Sequence, residues 1–255
     1  MVGMKANLIK YVASCSMGKD SLAMVLKLLE LNYPLDEVVW FNMKGAEFSC
    51  MEKNAEKLRK LLESKGIQFT VLEPEHDFKY YMLERAVTKR DGTIQQGYKW
   101  CGGKCRWGTA LKLDAIYKHE KETSFEYPVV VEYVGIAYDE KHRINRDRQS
   151  ERVKLYPLVE WGMLEKDCLV YCYDNGWDFI EDGVELYSCL DRVSCKYCKN
   201  KNLSELRAIY NNFPSIWSEL VELQDKIDIP FRSSGETIYD LEERFFYENA
   251  QLTLF

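Results

Sequence analysis

Apolar and polar positions along the first third of the chain alternate between two periods. Leu8 to Ala13 is a short apolar run broken by Lys10, the pattern of a buried strand. Leu22, Val25, Leu28 and Leu29 then share one face of a helix over about Ser21–Leu31. Glu37–Phe41 reads as a second strand. Ser49–Lys65 reads as a second helix with Leu58, Leu61 and Leu62 facing inward, and Ile67–Leu72 as a third strand. Such alternation predicts right-handed crossovers and a parallel sheet, whose ligands bind beyond the carboxyl ends of its strands.

After Phe78 the pattern loosens. Thr88–Gly103, rich in Lys, Gly and Gln, reads as an exposed loop over the site. A helix follows over about Arg106–Tyr117, then a central strand within Tyr127–Ile136 and a charged loop over Ala137–Arg152. Tyr156-Pro157-Leu158 is short and rigid, and Lys166–Asn175 is helical. Beyond Asp178 the strand–helix alternation ends, and helices are predicted at Leu203–Tyr210, Pro214–Lys226 and Thr237–Glu248. The expected division is a nucleotide-binding α/β domain over 1–160 and a helical region over 161–255 packed on it. The sequence shows no internal repeat and no low-complexity segment.

The densest chemistry lies between the first strand and the first helix, in Ser14-Cys15-Ser16-Met17-Gly18-Lys19-Asp20-Ser21. A strand, a small-residue turn and a helix together make an anion site, because the first helical N–H groups have no intrahelical acceptor and the dipole adds positive charge. Gly18 admits a phosphate close to the backbone, Ser14, Ser16 and Ser21 supply hydroxyls, and Lys19 supplies charge. Asp20 would repel a bare phosphate, so either the ligand is a metal-bound polyphosphate or Asp20 caps the helix. Taken alone, the segment also fits a capped helix with no ligand. The G-x-x-x-x-G-K-[ST] loop does not fit, because no glycine lies five residues before Gly18 and Asp20 follows the lysine.

Composition narrows the setting. A chain of 255 residues, 46% hydrophobic, can bury a substantial core. No run of eighteen apolar residues predicts a membrane span, and the first residues lack a secretory pattern, so the expected compartment is the cytoplasm. A net charge of -6 argues against broad non-specific nucleic-acid binding and leaves room for a local basic groove. Nine cysteines in a reducing compartment do not read as a disulfide framework.

Four of those cysteines form two close pairs, Cys101-Gly-Gly-Lys-Cys105 and Cys195-Lys-Tyr-Cys198. Two such pairs supply the soft ligands that zinc or an iron–sulfur cluster takes, and Lys104, Arg106, Lys196 and Lys199 favour the thiolate form. Separate structural or reactive thiols are the competing interpretation. Cys15, Cys50, Cys168 and Cys172 read as small buried residues, the last two on one helix face. His76, His119 and His142 form no ligand pair and supply no evident catalytic base.

Several segments together resemble one family. Ser16–Ser21 resembles the S-G-G-x-D-S loop of the PP-loop superfamily, with Met17 at the first glycine. Cys105-Arg106-Trp107-Gly108-Thr109 with Lys112 resembles the C-R-W-C-T-x-x-L-K segment of proteins like the phosphoadenosine phosphosulfate (PAPS) reductases, one residue short at Lys112. Arg192-Val193-Ser194-Cys195-Lys196-Tyr197-Cys198 resembles their R-V-S-C-x-x-C segment. Gly135-Ile136 with Asp139, Glu140 and Arg143 resembles G-I-x-x-D-E-x-x-R, and Tyr156-Pro157-Leu158 with Trp161 resembles Y-P-L-x-x-W. Gly45-Ala46-Glu47-Phe48 resembles D-T-G-x-E-F, with Met43 and Lys44 in place of Asp and Thr. The resemblance runs from Tyr11 to about Phe245.

The resemblance implies an adenine-nucleotide α-hydrolase-like fold with a mostly parallel sheet and a cysteine-metal helical C-terminal region. It implies ATP or PAPS held by Ser14, Ser16, Gly18, Lys19, Asp20, Ser21, Gly135, Asp139 and Glu140. Mg²⁺ would accompany the nucleotide, and Lys19, Asp20 and Arg143 would act in catalysis. The cysteines would hold zinc or a [4Fe–4S] cluster through Cys101, Cys105, Cys195 and Cys198. Cys101 there replaces the ligand missing at Gly108, and Cys189 is the alternative. The implied reaction is adenylylation of an acceptor, a small molecule or a nucleic acid, with pyrophosphate release for sulfur transfer or related chemistry. Thiol-dependent PAPS reduction is the first alternative, against which stands the lack of a cysteine after Cys198. A non-catalytic nucleotide-binding subunit of a nucleic-acid modification or defence system is the second. No membrane partner is expected, and the acceptor and oligomeric state are left open.

Overall fold

The computed structural model describes residues 8–101, 104–146 and 152–252. The first seven residues, Gly102 and Gly103 between the first cysteines, residues 147–151 of the charged loop and the final three residues lie outside that set. The chain divides into two compact units, neither continuous in sequence. One comprises Met1–Asn42, Ser49–Glu73 and Leu113–Phe179, the other Met43–Phe48, Pro74–Lys112 and Ile180–Phe255.

In the first unit β1 (Ile9–Ser14), α1 (Lys19–Glu30), β2 (Glu37–Phe41), α2 (Ser49–Ser64) and β3 (Gln68–Leu72) alternate as expected. The second unit contributes β4 (Ala86–Thr88) and β5 (Ile94–Gln96), a short antiparallel pair that begins just before the stretch expected to be a loop and places its second strand within it. Next come α3 (Leu111–Glu126), β6 (Val129–Val134), β7 (Val153–Leu155), α4 (Pro157–Glu160) and α5 (Glu165–Asp174). The helix expected at Arg106–Tyr117 starts later. Arg106–Ala110 forms a wide π-type turn, closed by the Ala110 N–H on Cys105 O at 2.9 Å and capped by the Cys105 sulfur, which accepts the Gly108 N–H at 3.2 Å. The second unit closes with the ladder β8 (Ile180–Glu181) and β9 (Val184–Glu185), then α6 (Leu203–Asn212), α7 (Pro214–Asp225) and α8 (Ile238–Leu252). The division expected at residue 160 falls between α4 and α5, within the first unit.

The main sheet has the order β3-β2-β1-β6-β7, with every neighbouring pair parallel. The chain winds outward from β1 to β3, then returns to place β6 on the other side of β1. That reversal is the switch point at which such sheets bind ligands, and the loops after β1 and β6 both open there. β2 is buried along its whole length, as strands covered on both faces are.

At the opposite, amino end of the sheet, Glu37 is 2% exposed. Lys10 Nζ lies 3.1 Å from its carboxylate, His119 Nε2 lies 2.9 Å away, and Thr70 donates to it. Burial raises this carboxyl's pKa, but those partners outweigh burial and hold it at about 2. Among the described residues, no helix is long and apolar enough to cross a membrane.

Candidate active site

β1 delivers the chain to the switch point and ends at Ser14. The Cys15 N–H still pairs with Val39 O at 2.9 Å, so the loop leaves the sheet only after that residue. Met17 then takes φ 62, the left-handed conformation suited to the glycine of the S-G-G pattern, with its side chain wholly buried. The turn therefore takes, at Met17, a backbone conformation that glycine adopts freely.

Gly18 is the N-cap of α1, and no side chain caps the helix. Asp20 does not serve that role; both its carboxylate oxygens lie 3.0 Å from Lys19 Nζ. Ser21 organises the loop from inside. Its Oγ accepts the Ser16 N–H at 3.0 Å, donates to Gly18 O at 3.2 Å and lies 3.1 Å from Ser16 Oγ. Ser14 points elsewhere, donating to Glu132 Oε1 on β6 at 2.8 Å. Two of the three expected hydroxyls thus shape the loop, and Ser16 is placed at its lip.

The segment after β6 closes the back of the site. A Cβ at Gly135 would lie 2.8 Å from Ser21 Cα and 3.1 Å from Ser21 N, so only glycine lets this strand end approach the first turn of α1. Asp139, Glu140 and Arg143 follow in the 3₁₀ segment Tyr138–Arg146. Arg143 pairs with Glu140, and Asp139 accepts the backbone N–H of Glu165 at 3.2 Å. Lys19 Nζ lies 2.6 Å from Glu165 Oε2.

Burial lowers the Lys19 pKa, but Glu165 and Asp20 together outweigh it and raise the ammonium above its ordinary value. Asp20 is raised by burial and by the charges of Glu165 and Glu140, against the pull of Lys19. The structure thus ties Lys19 to Asp20 and to Glu165, and Asp139 to Glu165, with the Glu140–Arg143 pair close enough for the Glu140 charge to reach Asp20; Glu165 is the member that sequence reasoning missed. A glutamate in the first turn of a helix looks like an ordinary terminal acid, and nothing in its neighbours marks it.

The cysteine pairs belong to the second unit. Phe78 is the hinge of their packing. Its ring stacks on Tyr197 at 4.7 Å and meets Trp107 at 5.8 Å, so the segments carrying Cys105 and Cys195 lie on either side of it. Gly45–Phe48 joins them, with Ala46 O accepting the Lys196 N–H at 2.8 Å.

Within each pair one thiol donates to the other sulfur. Cys105 lowers the Cys101 pKa and is itself raised, and Cys195 does the same for Cys198. The buried Lys201, 2% exposed, donates to Ser194 Oγ at 2.8 Å, and its charge favours the Cys198 thiolate. The charge of Lys199 favours the Cys101 thiolate. A Cβ at Gly108 would lie 3.1 Å from Cys105 Sγ, and Cys101 Sγ accepts the Arg106 N–H from the same turn at 3.3 Å. The sulfurs suit a soft metal as two donor pairs; among the described residues no three potential ligands converge. Cys189 is half-buried and accounted for by hydrogen bonds to Glu185 O and Leu186 O. Cys15, Cys50, Cys168 and Cys172 are all buried.

A five-stranded parallel sheet flanked by helices, with a small-residue loop at its switch point, defines a doubly wound α/β protein. Within that class, the chain belongs to the phosphoadenosine phosphosulfate reductase domain family, whose model matches residues 10–179. It is 27% identical over 212 residues to Uncharacterized protein MJ0066 of Methanocaldococcus jannaschii, covering 79% of this chain and 38% of that protein's length. It is also similar to the structure of the U34-tRNA thiolase NcsA from Methanococcus maripaludis with its [4Fe-4S] cluster. That match has a TM-score of 0.41 and 16% identity, over 96% of this chain and 73% of the other.

Proposed function

We propose that this chain binds an adenine nucleotide at the loop 14–21 and activates an acceptor by adenylylation. The acceptor's nucleophile bonds to the α-phosphorus, the bond from that phosphorus to the bridging oxygen breaks, and pyrophosphate leaves. A sulfur or related nucleophile then displaces AMP. The observation that carries this reading is the buried Lys19 at the first turn of α1, at the sheet's switch point, with Gly135 packed behind it. Lys19 and the α1 amides would stabilise charge on the leaving pyrophosphate, Arg143 would orient phosphate, and the acidic residues would hold Mg²⁺ brought with the nucleotide.

The test is release of pyrophosphate and AMP from ATP across a panel of thiol, tRNA and DNA acceptors. Lys19→Ala should slow that release on the order of a hundredfold, because the interaction strengthens as charge develops. Acceptor-dependent release that is unchanged in folded Lys19→Ala would remove the loop from the mechanism.

The two cysteine pairs are proposed to hold zinc or a [4Fe–4S] cluster. The support is chemical: four sulfurs in two pairs, each sharing a proton, with Lys199 and Lys201 nearby. Anaerobically purified protein should contain about one zinc, or iron with acid-labile sulfide, and Cys195→Ser should lose it. Protein containing neither would refute this.

PAPS reduction is the second reading, favoured by the family itself. It needs a nucleophilic thiol outside the pairs. Burial raises the Cys189 thiol and makes it a poor nucleophile, which weighs against this route. Sulfite release from PAPS with a thiol donor, abolished by Cys189→Ser, would establish it instead.

A further inference from the structure

Lys19 is committed before any ligand arrives. Its side chain is 9% exposed, and its ammonium lies 2.6 Å from Glu165 and 3.0 Å from Asp20. Glu165 is the first residue of α5, and its N–H is tied to Asp139, so its position is set by the backbone as well as by the ion pair. Around this point Asp20 and Glu165 face Lys19, Glu140 faces Arg143, and Asp139 accepts the Glu165 N–H, so four carboxylates stand with two cations. An incoming phosphate must take Lys19 from Glu165 and then lie beside the carboxylate it displaced.

We propose that Glu165 is the specificity-determining competitor for Lys19, admitting a nucleotide polyphosphate that brings a divalent cation and rejecting the metal-free anion. The inference rests on the loop being the nucleotide site. A metal-free polyphosphate adds its whole charge to a site already rich in carboxylates. A metal-bound one brings the cation that both the phosphates and the displaced Glu165 need. Rejection by a built-in repulsive group is a general route to specificity, and Asp20 alone does not supply it, because it stays beside Lys19 in the same turn. Glu165 comes from another helix and is the partner that can separate.

The test is calorimetric titration of ATP into the full chain, with Mg²⁺ and separately with EDTA. The wild-type protein should bind ATP far more tightly with Mg²⁺. Glu165→Gln should improve metal-free binding by about tenfold or more while changing metal-bound affinity by only about threefold or less, since the lost repulsion falls on the uncompensated anion. Glu165→Asp keeps the charge and should restore the wild-type ratio. Glu165→Ser gives the same readout should the amide variant fail to fold. An equal change in both conditions would show a merely structural role and overturn the proposal. Absence of ATP binding to the wild type in both conditions would overturn the proposal together with the ATP reading of the loop.

Discussion

The loop 14–21 of the first unit is framed by regular structure, whereas the cysteine turns of the second unit are framed by individual side chains. On one side a parallel strand, the N-terminus of a helix and a second strand end meet with one hydrogen-bonding serine between them. On the other, the π-type turn that carries Trp107 and the turn over Cys195–Cys198 that carries Tyr197 both pack on Phe78. A site built on strand ends inherits its geometry from the sheet ladder. A site built on turns depends on a few contacts, so it should be less tolerant of change at those contacts and more dependent on any bound metal.

The largest expected effect tests that difference with one methyl group in each unit. Gly97, at φ +63, would place a Cβ 2.0 Å from Met82 O and 2.4 Å from Met82 C. Neither atom is the end of a flexible side chain. Gly97→Ala should therefore destabilise the second unit by about 4 kcal/mol or more, through strain and displaced backbone together. Gly135→Ala meets Ser21 Cα at 2.8 Å, with no left-handed backbone to satisfy, and should cost about 1–3 kcal/mol while weakening nucleotide binding. Urea unfolding followed by Tyr and Trp fluorescence measures both. Equal losses would show that the turn-built unit is no more brittle than the sheet-built one.

Next in size is the buried cluster at the amino end of the sheet. Glu37 has its pKa held at about 2, against an ordinary value near 4.5. A depressed carboxylate gives stability that is present above the ordinary value and lost as pH falls toward 2. Glu37→Gln should lower stability at neutral pH by about 3 kcal/mol, because it also leaves Lys10 buried beside a neutral group. It should also flatten the stability profile between pH 4.5 and 2. A variant that keeps the wild-type acid slope would place the acid sensitivity elsewhere.

The same contrast explains what was legible in the chain. The strands and helices of the first unit carry their own periodicity, and Glu37–Phe41 is found at the expected residues. β7 was missed because Val153–Leu155 is only three residues long and follows a charged stretch; it is a strand only because β6 offers it a ladder. The membership of Gly45–Phe48 and Pro74–Lys112 in the second unit was not legible either. It is set by tertiary contacts such as the one from Lys196 to Ala46 and those around Phe78, which leave no local pattern. At the site, the loop was visible because small residues between a strand and a helix are unusual. Glu165 was invisible because an acid in a helix's first turn is ordinary until the fold brings it to Lys19, and Glu132, a single acid in the apolar run of β6, carries no sign of its partner Ser14.

The smallest effect is the sharpest, because its sign is diagnostic. Met17 is fully buried at φ 62, where the related loops have glycine. Replacing it by either Gly or Ala removes the same buried side chain and should lower stability by about 2 kcal/mol or more. The two replacements differ by one methyl group and by their backbone preference. At an ordinary position Ala is the more stable of the two by about 0.5–1 kcal/mol, since Gly loses more chain entropy on folding. At a left-handed position a Cβ meets the following carbonyl oxygen and costs about 1–2 kcal/mol. Met17→Gly should therefore be more stable than Met17→Ala by up to about 1 kcal/mol, a midpoint difference of about 2–4 °C for a chain of this size. Should Met17→Ala prove the more stable, the loop backbone is not left-handed at this residue. The equivalence between Met17 and the first glycine of the phosphate loop would then fail, although Gly18, Lys19 and Ser21 keep their places.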